Sequence, residues 1–108
     1  MTVKELSEKA GFNPICLPDP DREVTGGYCG DLLSWVMGRA TSGQAWITIM
    51  SNINIAAVAT LCDVAVIILS ENVSLDDGVL DAADARGINV LSTDMPTFEA
   101  ASLISKLL

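Results

Sequence analysis

The sequence contains no histidine and only three cysteines, Cys16, Cys29 and Cys62. No two of these cysteines have the close spacing of a zinc or dithiol redox motif, which argues against a structural metal. An odd count suits free thiols, with Cys16 and Cys62 read as small core residues. Cations are scarce as well. Lys4, Lys9, Lys106, Arg22, Arg39 and Arg86 are the six bases, against fourteen acids, for a net charge of −8. Nucleic acids and anionic membrane surfaces both require clustered cations, so neither is expected as a partner. Long apolar runs are also missing. Stretches such as Val64 to Leu69 are far too short to cross a bilayer. The opening Met1-Thr2-Val3-Lys4-Glu5 lacks the charged-then-apolar layout of a secretory signal, so a cytoplasmic location is expected. Aromatic residues make up 5% of a chain that is 50% apolar. Small and β-branched side chains must therefore build most of the core.

What is present is one domain's worth of regular pattern over residues 1–108. Thr2-Val3-Lys4-Glu5 is a capping box, predicting a helix from Val3 to Ala10 that stops at Gly11. Ile15-Cys16-Leu17, between Pro14 and Pro18, reads as an edge strand. Asp31 is placed to cap a helix running to Arg39, with Leu32, Leu33, Val36 and Met37 as its buried face. Strands are then expected at Ala45–Met50, Val64–Leu69 and Asn89–Leu91. They alternate with helices at Asn54–Leu61, Asp76–Arg86 and Pro96–Leu107, with Pro96 in the first turn. This alternation predicts an α/β fold: a single three-layer domain with a mostly parallel sheet of about four to five strands flanked by helices.

Ile53 to Leu61 is apolar on nearly every side, as in a helix covered on both sides. Either a second copy of the chain covers it, giving a homodimer through Ile53–Leu61, or the N-terminal segment does. Trp35 and Trp46 are core residues or, if exposed, docking anchors.

Ligands of parallel sheets bind beyond the carboxyl ends of the strands. There the three regular strands lead into Ser51-Asn52-Ile53-Asn54, Ser70-Glu71-Asn72 and Ser92-Thr93-Asp94. Asn52, Asn54, Thr93 and Asp94 are therefore candidate ligand contacts, although the same residue types serve as helix caps and turns. The other candidate segment is Thr25-Gly26-Gly27-Tyr28-Cys29-Gly30-Asp31. Its glycines permit left-handed backbone and close approach of another group, just before a helix N-terminus. Thr25, Gly26, Gly27, Tyr28, Gly30 and Asp31 are candidate ligand contacts on one reading and a tight turn on the other. Cys29 would have a lowered pKa if it faced that N-terminus. No catalytic constellation assembles. Asp76-Asp77 and Asp81-Asp84 read as an exposed helix start and its solvated face, and Asp63 as a turn residue. Gly38 to Ala45 has the glycine spacing of a P-loop, but Gln44 and Ala45 stand where Lys and Ser/Thr are required, between a helix and a strand in the wrong order.

Asp21-Arg22-Glu23-Val24-Thr25-Gly26-Gly27-Tyr28, followed by Gly30-Asp31-Leu32-Leu33-Ser34, resembles the signature of the DRTGG domain family. Asn54 to Ala59, Asp63 to Ile68 and Ile88 to Thr93 are also similar to that family, so the likeness runs from about Ile15 to the C-terminal end. Glu23-Val24, between Arg22 and Thr25, departs from the literal motif. The resemblance implies a small α/β regulatory module of the kind found beside CBS domains in regulated pyrophosphatases. It also implies kinship with the N-terminal part of HPr kinase/phosphorylase, and an association with phosphotransacetylases and iron-only hydrogenase systems. Three readings follow. The first is a non-catalytic regulatory module that binds a small metabolite, with adenine nucleotides among the candidates, and uses no cofactor. The second is a protein-interaction and dimerisation module of a hydrogenase-linked redox system or of carbon metabolism. The third is a protein serine kinase.

Overall fold

A computed structural model describes residues 1–108. In chain order the elements are α1 (Val3–Ala10), β1 (Asn13–Cys16), β2 (Gly26–Cys29), α2 (Leu33–Arg39), β3 (Gln44–Thr48), α3 (Asn54–Cys62), β4 (Val66–Leu69), α4 (Val79–Ala85), β5 (Val90–Ser92) and α5 (Thr97–Leu107). The five strands form one sheet in the order β1-β5-β4-β3-β2. Strands β2 to β5 are parallel, and β1 lies antiparallel to β5 at one edge. The expected α/β class, three layers and mostly parallel sheet are therefore observed.

Alternation along the strands divides the core into two layers. Trp46, Ile67, Leu69 and Val90 point to one face, where they meet Val36 of α2, Ile55, Val58 and Ala59 of α3, and Val79 and Ala83 of α4. Ala45, Ile47, Val66, Ile68 and Leu91 point to the other, against Val3, Leu6 and Ala10 of α1 and Ala100 and Ile104 of α5. The three crossovers β2-α2-β3, β3-α3-β4 and β4-α4-β5 all run in the same sense, so their helices share one face. Trp46 is fully buried, and its indole N–H donates to the Gly30 carbonyl at 2.9 Å. Trp35 is 53% exposed, with the Arg39 guanidinium 3.7 Å above its ring. The two tryptophans thus have opposite roles.

Several expected boundaries shift for local reasons. β1 begins two residues earlier than the apolar run suggests, because α1 ends at left-handed Gly11 and the chain turns at once into the edge. Asp31 does not cap α2. Leu32 is the N-cap residue, no side chain closes that end, and of the expected buried face only Val36 is fully enclosed. Leu33 is half-buried, whereas Leu32 and Met37 are exposed. Asp76 and Asp77 precede α4 instead of opening it, since Gly78 at φ 83° cannot be helical. Pro96 is the N-cap of α5, one place before the expected first turn.

The Ile53–Leu61 segment also differs from expectation. Ile55, Ala56, Val58 and Ala59 are buried, but Ile53 and Leu61 are 52% and 70% exposed, so one face of α3 is open. The N-terminal segment does not cover it, because α1 packs on the opposite side of the sheet.

From β1 the chain must cross to β2 at the far edge, and it does so beneath the amino ends of the other strands. This strap, residues 17–25, is pinned by hydrogen bonds. The Arg22 and Pro20 carbonyls accept from the N–H groups of Val3 and Lys4 at 2.9 and 3.0 Å. These N–H groups belong to the first turn of α1, which has no partners of its own. The capping box of Thr2 and Glu5 completes that helix start. Asn89, 1% exposed, accepts from the Asp19 N–H at 3.0 Å and donates to the carbonyls of Asp19 and Ala65 at 2.7 and 3.0 Å. Asn89→Ala leaves those groups unsatisfied and should cost about 2–3 kcal/mol in urea unfolding. A loss below about 0.5 kcal/mol would mean that the strap is held by other contacts.

Candidate functional site

The two rims of the sheet differ. The amino rim is largely closed, with one small pocket of about 180 Å³ between the strap and the turns that enter β4 and β5, beside Arg22 and Arg86. There the Arg22 guanidinium donates to the Asp63 carboxylate at 3.1 Å, to the Asp63 carbonyl at 2.9 Å and to the Ser42 hydroxyl at 3.4 Å. The Ser42 hydroxyl in turn donates to the other carboxylate oxygen of Asp63. Asp63 ends α3 in left-handed conformation, with φ 57°. The strap thereby locks the turns that enter β3 and β4. Thr25 adds a bond from its hydroxyl to the Ser42 carbonyl at 3.3 Å and one from its N–H to the Gly43 carbonyl at 2.9 Å. Gly43 has φ 83°, and a Cβ there would lie 2.7 Å from the Thr25 hydroxyl oxygen, so glycine is required on both counts. Nothing local in the sequence assigns Arg22 a role. Its contacts make it the anchor of the strap.

The carboxyl rim is open. A cleft of about 680 Å³ lies beyond the ends of β4 and β5, beside the start of β1. Asn13, Asn72, Ser74, Asp76, Asp77, Ser92, Thr93 and Asp94 supply its polar wall, and Ile15, Leu69, Leu75 and Leu80 its apolar one. Its outer lip is the turn after β4, where Glu71 and Asn72 are successive left-handed residues at φ 60° and 59°. Each such non-glycine residue costs on the order of 1 kcal/mol, less for asparagine. Bonds from the Glu71 N–H to the Met95 carbonyl and from the Asn72 N–H to the Thr93 carbonyl hold the turn. The Glu71 carboxylate accepts from the Thr97 N–H at 2.7 Å, supplying the cap that Pro96 cannot give α5. Ser70, fully buried, shares a 2.7 Å bond with the Thr97 hydroxyl. On the other side, the Ser51 hydroxyl donates to Asp76 at 3.0 Å.

The sequence-predicted contacts do not form one site. Thr93 and Asp94 line the cleft. Asn52 and Asn54 form a local turn, with the Asn52 side chain accepting from the Asn54 N–H at 2.9 Å, outside the cleft wall. The glycine segment is not a loop. Gly26 to Cys29 is strand β2, and none of Gly26, Gly27 and Gly30 has positive φ. Thr25 and Gly26 therefore stand toward the amino end of this strand, and Gly30 and Asp31 just past its carboxyl end. Thr25, Gly26, Gly27 and Cys29 border a second groove, of about 470 Å³, between β2 and α5. Gly30 packs under the Tyr28 ring, where a Cβ would meet Tyr28 at 3.1 Å. Asn72, Ser74, Asp76 and Asp77 line the cleft without being expected contacts. The available signal is the turn at Gly78, which lies inside the helix that the sequence pattern predicts.

Electrostatics reinforce the contrast between the rims. The cleft wall carries Asp76, Asp77 and Asp94 and no Lys or Arg. No group of three His, Cys, Asp or Glu side chains is arranged to hold a metal ion. Cys16 and Cys62 are buried and Cys29 is exposed. Burial pushes the Cys16 thiol up to about 11, helped by the Asp84 carboxylate 3.6 Å away. The Cys29 thiol is also pushed up, by desolvation against neighbouring chain, and not down as a helix N-terminus would do. Cys29 sits in a strand, four residues before α2 begins.

The Arg22 guanidinium, and after it the Ser42 hydroxyl, hold the Asp63 carboxyl below its usual range. A depressed folded value means that this contribution is complete above about pH 4, where the unfolded carboxyl ionises, and is lost as pH falls through the folded value. The pair is well exposed, so Asp63→Asn should cost at most about 1 kcal/mol at neutral pH. Its difference from wild type should shrink on acidification below about pH 4 in denaturant titrations. A difference that persists unchanged at acid pH would contradict the assigned role.

Comparison with known proteins bears on the whole arrangement. The DRTGG domain profile matches residues 31–107. That span takes in α2 to α5 and most of the cleft, and leaves α1, β1, the strap and β2 outside it, with Asn13 and Ile15 of the cleft wall. Among solved structures, the chain resembles the CBS and DRTGG domains of the regulatory region of Clostridium perfringens pyrophosphatase, a crystal structure complexed with the activator diadenosine tetraphosphate. The TM-score is 0.75 at 14% identity, over 99% of this chain and 47% of that one. The likeness shows the fold, and this chain spans about half of that region's length. Curated proteins give no sequence match.

Proposed function

The chain belongs to the DRTGG domain family, and from that premise we propose that it is a non-catalytic regulatory module whose carboxyl-rim cleft binds a small metabolite. The observation that carries this reading is the cleft itself, which lies where parallel sheets place their ligands and within the range typical of small-molecule sites. Its wall offers hydroxyl, amide and carboxylate groups around an apolar floor, a set suited to a nucleoside or similar polar ring. It does not suit a bare polyphosphate, because Asp76, Asp77 and Asp94 would face the anion with no cation to receive it. Adenine nucleotides remain the first candidates, on the strength of the activator bound by the clostridial regulatory region. That region holds CBS domains too, so the match carries no ligand position. On this reading Thr93 and Asp94 are contacts, joined by Asn72, Ser74 and Asp77, while Arg22 and Thr25 support the fold.

A protein-docking role is a second reading, favoured by exposed Trp35 on α2 beside Leu32 and Met37. The self-association expected through Ile53–Leu61 now rests on Ile53 and Leu61 alone, since the helix's other large apolar residues face inward.

The test is a thermal-shift and calorimetric series with adenosine, AMP and ATP at low and moderate salt. Adenosine or AMP should bind, and each added phosphate should weaken binding, most at low salt. At about a hundredfold excess over Kd the bound protein should gain about 2.7 kcal/mol of stability. Asp94→Asn should improve the nucleotides relative to adenosine. No response from any of the three would overturn the adenine reading, and tighter binding of ATP than of adenosine would overturn the placement in this cleft.

A further inference from the structure

The charge of the carboxyl-rim cleft restricts its ligand more than its shape does. None of the chain's six bases lines it, whereas three of the fourteen acids do, Asp76, Asp77 and Asp94. The other polar groups of the wall are neutral hydroxyls and amides. Asp76 and Asp77 come from the connection between β4 and α4, and Asp94 from the one between β5 and α5. Asp76 has a structural partner, since it accepts from the Ser51 hydroxyl at 3.0 Å. Asp77 and Asp94 belong to neither ion pair of the chain, which are Met1 with Glu23 and Arg22 with Asp63. Like charges lining a recess in low-dielectric protein focus their potential on its interior and concentrate counter-charge there.

A bare metal ion does not suit as that counter-charge. No three acid, histidine or cysteine side chains are grouped to hold one, and hard divalent cations demand several oxygen ligands at once. A linear polyamine would meet the carboxylates but leave the apolar floor of Ile15, Leu75 and Leu80 unused. An organic cation that also carries a ring uses both.

We propose that the cleft takes a positively charged ligand: a nucleoside or similar ring whose side arm ends in an ammonium or sulfonium group. The ring lies on the apolar floor, and the cation pairs with Asp77 and Asp94. This rests on the reading of the cleft as the ligand site and adds the sign of the ligand's charge. Phosphate on the same arm has the wrong sign, so the domain discriminates between an amine and a phosphate of one nucleoside. Asp76, Asp77 and Asp94 are all exposed, so water screens the attraction and the discrimination is moderate and salt-dependent.

Calorimetric titration of the full chain with adenosine, AMP and 5′-amino-5′-deoxyadenosine tests it. The three share one ring and differ in the charge of one arm, the amine being protonated at neutral pH. At low salt the amine should bind about tenfold tighter than adenosine, and the advantage should fall toward about twofold at moderate salt. The affinity ratio of amine to adenosine should drop about threefold in Asp77→Asn and again in Asp94→Asn. Asp21→Asn, in the strap at the other rim, makes the same change in net charge and should leave the ratio as in wild type. Spermidine should bind more weakly than the amine. Adenosine or AMP binding as tightly as the amine would overturn the proposal and leave the cleft reading standing. An amine advantage that survives both cleft substitutions, or that falls equally in Asp21→Asn, would place the charge effect outside the cleft and overturn it too. Tighter binding of spermidine would remove the ring from the proposal, and silence from every compound would sink the adenine reading along with it.

Discussion

The hydrogen bonds that tie residues 17–25 beneath the sheet are the constraint on which the rest depends. Because β1 is antiparallel to β5 at one edge and β2 begins at the other, the chain has to pass under every strand between them. Crossing there exposes a stretch of irregular backbone, and buried backbone polar groups must find partners. The structure meets that need by exchange. The strap's carbonyls satisfy the first turn of α1, Asn89 satisfies Asp19, and Arg22 ties the strap to Asp63. One set of bonds thus caps a helix, orders a loop and fixes the turns into β3 and β4.

The proposed function rests on geometry. The strap leaves only a small pocket at the amino rim, whereas the larger cleft lies beyond the carboxyl ends of the parallel strands. Its lip is held in an unfavourable backbone conformation at Glu71 and Asn72 by bonds to the turn after β5. A ligand that contacted Asn72 or Thr93 would act on both turns at once, and through Glu71 on the start of α5. That is a physical route from an occupied cleft to a face of the domain that a partner could sense, which suits a regulatory module better than a reaction centre.

Much of the fold was legible in the sequence, and the misses have identifiable causes. The capping box at Thr2 and the stop at Gly11 are legible because both are local signals. The β-α-β rhythm from Gln44 onward was visible in apolar period and turn residues. The glycine segment suggests a loop because glycine signals permission and not use, but none of its three glycines has positive φ, and only the pairing with β3 reveals a strand over Gly26 to Cys29. Asp76 and Asp77 suit a helix start because acids favour that place, while Gly78, directly after them, decides against it. The cleft was half legible. Thr93 and Asp94 follow from the rule about strand ends, but Asn72 and Ser74 enter it only through a left-handed turn that no local pattern announced. Arg22 shows the reverse case, a charged residue beside the glycines whose contacts are structural.

The central claim is that ligand chemistry belongs to the open carboxyl rim and that the glycine segment serves other ends. Amide chemical-shift mapping of the full chain during titration with AMP tests it most directly. The account predicts shifts concentrated at residues 70–78 and 92–95, with the strap and Thr25 to Gly30 little changed. Shifts centred on the strap and on Thr25 to Gly27 would contradict it.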